Sequence, residues 1–258
     1  MKKTKIGVIG LGLIGGSIYK SLKDIGKYDL IGISRTVKED NICNDYNKLS
    51  DCEVVFVSTP MNKTLEILDK LENYVSENAI VADVCSLKRF VSEKNYVYKF
   101  IPTHPMAGTE NSGWDSSFSG LFKNAKWIIT PINGVILPEQ EILEKIIGDM
   151  GAKVVITSPE EHDRAAALIS HMPMVAAQAL CQNIRDDSLA QIMASSGFKD
   201  TTRLALSNTD MAEDMVNMNR DNINEAINSL KNSLDNLMSN DYKNKIENIK
   251  NFRKNLYD

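Results

Sequence analysis

The sequence predicts an α/β fold: an N-terminal Rossmann-type, doubly wound sheet followed by an all-helical C-terminal domain. Three observations lead there. Short β-branched runs alternate with amphipathic helical patterns up to about residue 157, as a parallel sheet with helices on its faces requires. The first run leads straight into Gly10-Leu11-Gly12-Leu13-Ile14-Gly15. After Thr157 the strand signal stops, and the rest of the chain reads as helix.

The strand candidates are Ile6–Ile9, Leu30–Ile33, Val54–Val57, Ile80–Val84, Tyr98–Ile101, Trp127–Thr130 and Val154–Thr157. Amphipathic segments Ile14–Ile25, Lys63–Tyr74 and Pro138–Met150 fall between them, and Gly151 suits the C-terminal cap of the last. Ser158-Pro159-Glu160-Glu161 combines a serine cap, a first-turn proline and a glutamate three residues on, the signature of a helix start. The stretch Ala165–Leu180 is apolar nearly all round and is expected to be buried. Pro173 removes a backbone donor within it, so a kink is expected near His171. A break follows at Ser195-Ser196-Gly197. Ile223, Ile227, Leu230, Leu234 and Leu237 form a narrow stripe continued by Ile246, Ile249 and Leu256. So much apolar helix surface calls for a partner, and a homodimer through the C-terminal helices is expected. The domain division is residues 1–157 and 158–258.

Composition narrows the function class. The 258 residues are 43% hydrophobic and 25% charged, with a net charge of −4, ordinary for a globular protein. The absence of a Lys/Arg stripe leaves a nucleic-acid partner without an electrostatic footprint. Cys43, Cys52, Cys85 and Cys181 are widely spaced and form no CxxC pair, which fits reduced thiols in the cytoplasm and no metal site. The basic start Met1–Lys5 precedes an apolar run broken by five glycines, so neither a signal peptide nor a membrane span is expected.

The glycine phrase sits where a dinucleotide site belongs. Gly10 permits the tight turn, Gly12 lets a diphosphate approach the backbone, and Gly15 lets helix and strand pack closely. The backbone of Leu13 and Ile14 opens the helix whose N-terminus faces the phosphates. Ser58 and Thr59, just past the third strand run, are assigned to the same cofactor site. The second strand run ends in Ser34-Arg35-Thr36 rather than in an acid. Two hydroxyl donors and a guanidinium suit a 2′-phosphate, so NADP is expected over NAD.

The chain has three histidines. One lies in Thr103-His104-Pro105-Met106-Ala107-Gly108-Thr109-Glu110, where Pro105 and Gly108 are expected to prevent a regular element, placing a titratable imidazole in a loop past a strand end. Further unusual phrases are Asp83-Val84-Cys85-Ser86-Leu87-Lys88, Glu161-His162-Asp163, Ser170-His171-Met172-Pro173 and Gly197-Phe198-Lys199-Asp200-Thr201-Thr202-Arg203.

Together these phrases resemble the prephenate/arogenate dehydrogenase family of tyrosine biosynthesis, from the glycine fingerprint to about Asn219. The resemblance implies an oxidative decarboxylation: hydride leaves the hydroxyl-bearing carbon of a cyclohexadiene, the ring carboxylate departs as carbon dioxide, and the ring becomes aromatic. It implies catalytic roles for His104 as acceptor of the hydroxyl proton, for Ser86 as a contact to His104 or the nicotinamide, and for Arg203 as a fork on the ring carboxylate. It assigns substrate binding to Glu110, Ser170, His171 and Lys199, with Glu110 pairing with Arg203 or Lys199. His162 and Asp163 are read as helix-start residues. The sequence departs from the family at Met174, where many members carry a second histidine, and at Ala212, where an aromatic is common. It ends at Asp258, without room for a regulatory domain or a fused mutase. Met174, the short chain and the NADP-type strand end favour arogenate slightly over prephenate. Two rival readings share the glycine phrase: another two-domain NADP-dependent reductase or hydroxyacid dehydrogenase, and a non-catalytic NADP-binding regulator. The first does not account for the Thr103–Glu110 phrase, and the second predicts a nucleotide pocket without a convergent His, Ser and Arg.

Overall fold

The computed structural model describes residues 3–109 and 111–256. The first strand, β1 (Lys5–Ile9), turns through the glycines into α1 (Leu13–Ile25), and β2 (Asp29–Ile33) returns parallel to β1. A two-residue strand, β3 (Ile42–Cys43), extends that edge. The chain then crosses to the other side of β1 with β4 (Val54–Val57), α2 (Met61–Leu71), β5 (Ile80–Asp83), the single turn α3 (Arg89–Ser92) and β6 (Lys99–Phe100). The sheet order is β3-β2-β1-β4-β5-β6, all parallel.

This sheet is buried on both faces, which explains why its strands read as continuous apolar runs. Ile6, Val8, Val54, Phe56, Ile80 and Ala82 point into one core with Ile18 and Leu22 of α1. Ile9, Val55, Val57 and Val81 point into the other with Leu68 and Leu71 of α2. Side chains alternate faces along each strand.

The alternation implied that the later strand signals extend this sheet, and they do not. β7 (Thr103–Pro105), β8 (Lys126–Ile129) and β9 (Lys153–Ile156) form a second, three-stranded sheet, with β7 antiparallel to β8 and β9 parallel to it. Trp127 and Ile129 of β8 join the α1-side core, together with Leu143, Ile146 and Ile147 of α4 (Gln140–Asp149). Gly151 follows α4 with φ +86, the left-handed conformation expected after a helix end. His104 therefore lies in a strand and not in a loop: Pro105 is tolerated because β7 is an edge strand and a proline at its end withholds no central ladder donor.

The helical half begins where expected. Ser158 caps α5 (Pro159–Ala166), its hydroxyl oxygen accepting the Glu161 N–H at 3.2 Å. The kink is a π turn, Ala167–His171, leading into α6 (Met172–Asn183). Pro173 cannot donate to the carbonyl four residues back, and the wider turn absorbs the mismatch. Then come α7 (Ser188–Met193), α8 (Ser196–Thr201), a 3₁₀ turn at Arg203–Leu206, α9 (Thr209–Met218), α10 (Arg220–Met238) and α11 (Tyr242–Asn255). The Ala165–Leu180 stretch is not buried all round. Ala166, Ala167, His171, Met174 and Ala177 face inward, whereas Ile169 is 67% exposed and Leu180 41%. Likewise Ile223 is buried, but Leu234, Ile246 and Ile249 are exposed. Two halves of the chain meet at an apolar seam: Met61, Cys85 and Leu87 against Met174, Ala212 and Met215. The departures Met174 and Ala212 are thus buried seam residues. Among the described residues no helix is long and apolar enough to cross a membrane.

Candidate active site

The sheet's strand order reverses between β1 and β4, the place where open parallel sheets form a ligand crevice. Gly10 leaves β1 with φ +83, and a Cβ there would fall 2.3 Å from the Ser58 carbonyl oxygen. A Cβ on Gly15 would stand 2.0 Å from the Gly10 carbonyl oxygen, so both glycines are required by close backbone approach. Gly12 differs: a Cβ there meets open space, on the side where a ligand would press against the backbone. α1 starts at Gly12 without a side-chain cap or an acid in its first turn, which leaves the N–H groups at Leu13 and Ile14 for an anion. Ser58 and Thr59 follow β4 and border Gly10 and Gly15. At the end of β2 the Ser34 hydroxyl oxygen accepts the N–H groups of Thr36 at 3.2 Å and Val37 at 3.1 Å. Its own hydrogen remains available for donation, and Arg35 and Thr36 are exposed beside it. The backbone N–H groups at the start of α1 fit a dinucleotide diphosphate.

A second set of polar groups lies two strands away. Asp83 ends β5 and is fully buried. It forms an ion pair with Lys88, which is also fully buried. Its carboxylate accepts the N–H of Cys85 at 2.9 Å and of Thr103 at 3.1 Å, while its carbonyl accepts the Thr103 hydroxyl at 2.6 Å. Lys88 Nζ also donates to the Thr103 carbonyl at 2.5 Å. Residue 103 is thereby clamped from both sides, and the next residue is His104.

His104 Nδ1 lies 2.9 Å from His162 Nε2, and His162 Nδ1 lies 2.7 Å from Asp163 Oδ1. Asp163 also accepts the backbone N–H groups of Lys88 at 2.8 Å and Arg89 at 3.1 Å. Asn219, between α9 and α10, donates from Nδ2 to the Asp163 carbonyl at 2.8 Å and lies 3.1 Å from His171 Nδ1. All three histidines therefore belong to one buried hydrogen-bonded group straddling the two halves of the chain. Burial first, then the charges of His162, Lys88 and His171, hold His104 well below the usual histidine range. Burial also lowers His171 to about 4, with His162 contributing and Asp163 opposing. Both are neutral at pH 7, as a proton acceptor must be. Cys85, pushed up to about 12 by burial, stays a thiol and packs rather than reacts.

The other expected site residues distribute unevenly. Ser86 is half-buried between Cys85 and Leu87, but the partner of His104 is His162, not Ser86. Ser170 is half-buried in the π turn beside buried His171. Arg203 opens the 3₁₀ turn and is exposed, while the adjacent Leu204 packs against the seam cluster that flanks Ser86. Lys199 is exposed one turn earlier on α8. Among the described residues neither cation forms an ion pair, and Glu110 lies outside those residues. His162 and Asp163 do begin a helix, yet their side chains turn inward to His104, a role the helix-start reading missed. The available signal was an adjacent His-Asp pair at the junction of two domains. Asn219 carried no signal of its own.

A parallel sheet reversing its strand order over a glycine turn, with a helical half closing on it, defines a Rossmann-type dinucleotide-binding protein of two parts. A family model described as "Prephenate dehydrogenase, nucleotide-binding domain" matches residues 30–156, and "Prephenate dehydrogenase, dimerization domain" matches residues 158–255. The chain is 32% identical over 243 residues to the prephenate dehydrogenase of Bacillus subtilis (strain 168), covering 86% of this chain and 66% of that protein's length. Among solved structures, Synechocystis arogenate dehydrogenase superposes with a TM-score of 0.83 at 32% identity, covering 98% of this chain and 100% of that one. Prephenate dehydrogenase from A. aeolicus, in complex with hydroxyphenyl propionate and NAD+, gives 0.83 at 28% identity, covering 100% and 97%. The chain belongs to the prephenate/arogenate dehydrogenase family.

Proposed function

We propose that this chain catalyses the NADP+-dependent oxidative decarboxylation of arogenate, and less well of prephenate, to tyrosine or 4-hydroxyphenylpyruvate. The observation that carries this reading is His104: a neutral imidazole on a clamped edge strand, beside the seam that the helical half closes. When bound, the dinucleotide supplies the acceptor for the substrate's hydride. His104 takes the ring hydroxyl proton as the C–H bond on the same carbon breaks. The bond to the ring carboxylate then cleaves, its electron pair completes the aromatic ring, and carbon dioxide leaves. His104 returns the proton to the phenolate oxygen, so the residue ends as it began. Arg203 binds the ring carboxylate through its fork, with Ser170, His171 and Lys199 as further substrate contacts and Ser86 beside the reacting carbon. Gly10, Gly12, Leu13, Ile14, Gly15, Ser58 and Thr59 hold the diphosphate side of the cofactor, and Ser34, Arg35 and Thr36 its 2′-phosphate.

The assay is absorbance at 340 nm with prephenate or arogenate as sole added substrate and NADP+ or NAD+ as acceptor. Turnover with neither substrate refutes the function; a tenfold preference for NAD+ refutes the cofactor choice. We also propose domains 1–157 and 158–258, since β9 ends at Ile156 and the next helix begins at Pro159. A homodimer through the helical half is supported by its exposed apolar side chains: Ile192, Leu206, Met238 and Phe252 are each more than two-thirds exposed in the single chain. A monomer in light scattering at micromolar concentration refutes it. Four unpaired cysteines fit a cytoplasmic location.

A further inference from the structure

We propose that Asp163 and Asn219 set the histidines at the two ends of this hydrogen-bonded network in opposite tautomers, so that His104 keeps a bare Nε2 as proton acceptor while His171 carries its hydrogen on Nε2. His162, which links Asp163 to His104, is then a positioning residue. This inference rests on the functional reading above for its purpose, but its geometry stands alone.

The logic begins with donors that cannot be anything else. The N–H of Lys88 donates to Asp163 Oδ1 and the N–H of Arg89 to Oδ2. Both carboxylate oxygens are therefore acceptors, and His162 Nδ1, at 2.7 Å from Oδ1, must carry a hydrogen. A neutral ring with its hydrogen on Nδ1 has a lone pair on Nε2. That lone pair faces His104 Nδ1 at 2.9 Å, so His104 must donate there. The lone pair of His104 is left on Nε2.

The second chain runs the opposite way. Asn219 Nδ2 meets the Asp163 carbonyl, which can only accept, and Asn219 Oδ1 accepts from Asn222 Nδ2 at 2.7 Å. The Asp163 carbonyl thus fixes the amide orientation, and the Asn222 contact agrees with it. The second hydrogen on Nδ2 is directed at His171 Nδ1, so that nitrogen accepts and the ring hydrogen sits on Nε2. One residue, Asp163, governs both outcomes: its side chain acts through His162 and its main chain through Asn219. A proton added to His162 Nε2 would reverse the first chain, making His104 accept at Nδ1 and present an N–H to substrate. The charged and titratable groups facing this array are Lys88, Asp83, Asp163 and the three histidines themselves.

The test needs no substrate. The protein has only three histidines, so long-range proton–nitrogen correlation spectra of nitrogen-15-labelled full-length protein at pH 8, assigned with single histidine variants, resolve every ring. We expect Nδ1–H for His104 and His162 and Nε2–H for His171; an Nε2–H tautomer on His104 overturns the proposal even if the enzyme is active. His162→Gln retains an acceptor for His104 and a donor for Asp163, and kcat should stay within about threefold. His162→Ala removes both and should lower kcat by about thirtyfold, with the acidic limb of the pH profile displaced. A folded His162→Ala variant with wild-type kcat and pH profile overturns the proposal. If neither substrate is turned over by the unaltered protein, the functional reading fails while the tautomer assignment is decided by the spectra alone.

Discussion

Lys88→Met tests the clamp that presents His104. Both members of the Asp83–Lys88 pair are fully buried, so removing the ammonium strands a carboxylate in the interior. Breaking a buried pair by deleting one partner costs about 3–5 kcal/mol. Here Asp83 keeps the N–H groups of Cys85 and Thr103, which places the expected loss at the lower end, about 3 kcal/mol. For a chain of this size that corresponds to a fall in Tm of about 6–12 °C. Lys88 also holds the Thr103 carbonyl, so β7 should loosen and kcat fall alongside stability. Adding Asp83→Asn removes the stranded charge, and the double variant should be more stable than Lys88→Met alone. Differential scanning calorimetry of the two single variants and the double variant closes the cycle. A Lys88→Met Tm within 2 °C of the parent, or strictly additive losses in the double variant, would refute the argument that the pair is one electrostatic unit.

Other perturbations separate cofactor, chemistry and fold. His104→Asn should still fold and bind dinucleotide while lowering kcat by about a hundredfold or more, read at 340 nm. Gly12→Asp adds a side chain into open space, so its melting curve should match the parent, yet a carboxylate against the diphosphate should weaken dinucleotide affinity about a hundredfold, measured by fluorescence titration. Arg35→Ala should reduce the NADP+ to NAD+ ratio of kcat/KM by about tenfold. The pH dependence of stability has a defined sign. His171 falls to about 4 in the folded chain, below its unfolded value, so the unfolded state binds the proton first. The stability that neutral His171 confers is complete above about pH 6.5 and should fall by about 3 kcal/mol as pH drops to 4. Urea midpoints across that range should fall less steeply in His171→Asn, the remainder coming from His104.

Much of this architecture is legible because local and global signals agree. The β1 glycines occupy the conformations their spacing implied, with Gly10 and Gly15 forced by backbone contact. Ser158 and Gly151 mark helix ends as their chemistry requires. What the sequence conceals is long-range. Nothing local distinguishes a strand that joins the main sheet from one that starts a second, so β8 and β9 read as its continuation. Thr103–Pro105 is too short and too proline-marked to read as a strand; its pairing is supplied by Lys126–Ile129. The Ala165–Leu180 run is apolar on a face this single chain does not cover. His162 and Asp163 carry two jobs at once, a helix start and a bracket for His104; the adjacent His-Asp pair hints at the second, but the partner 58 residues away is supplied only by the fold. Asn219 lies 48 residues from His171, and an asparagine between two helices is ordinary until the fold brings them together.

The five-residue π turn at Ala167–His171 works like a gear with one extra tooth. Each residue advances a helix by about 100°, so shortening this turn by one would index all of α6 by that amount. Met174 would swing off the seam and buried Ala177 out of the interior, and the outward face carrying Leu180 would rotate inward. A single deletion here should therefore be more disruptive than any substitution at the same positions, because it misaligns the whole downstream rod rather than one side chain.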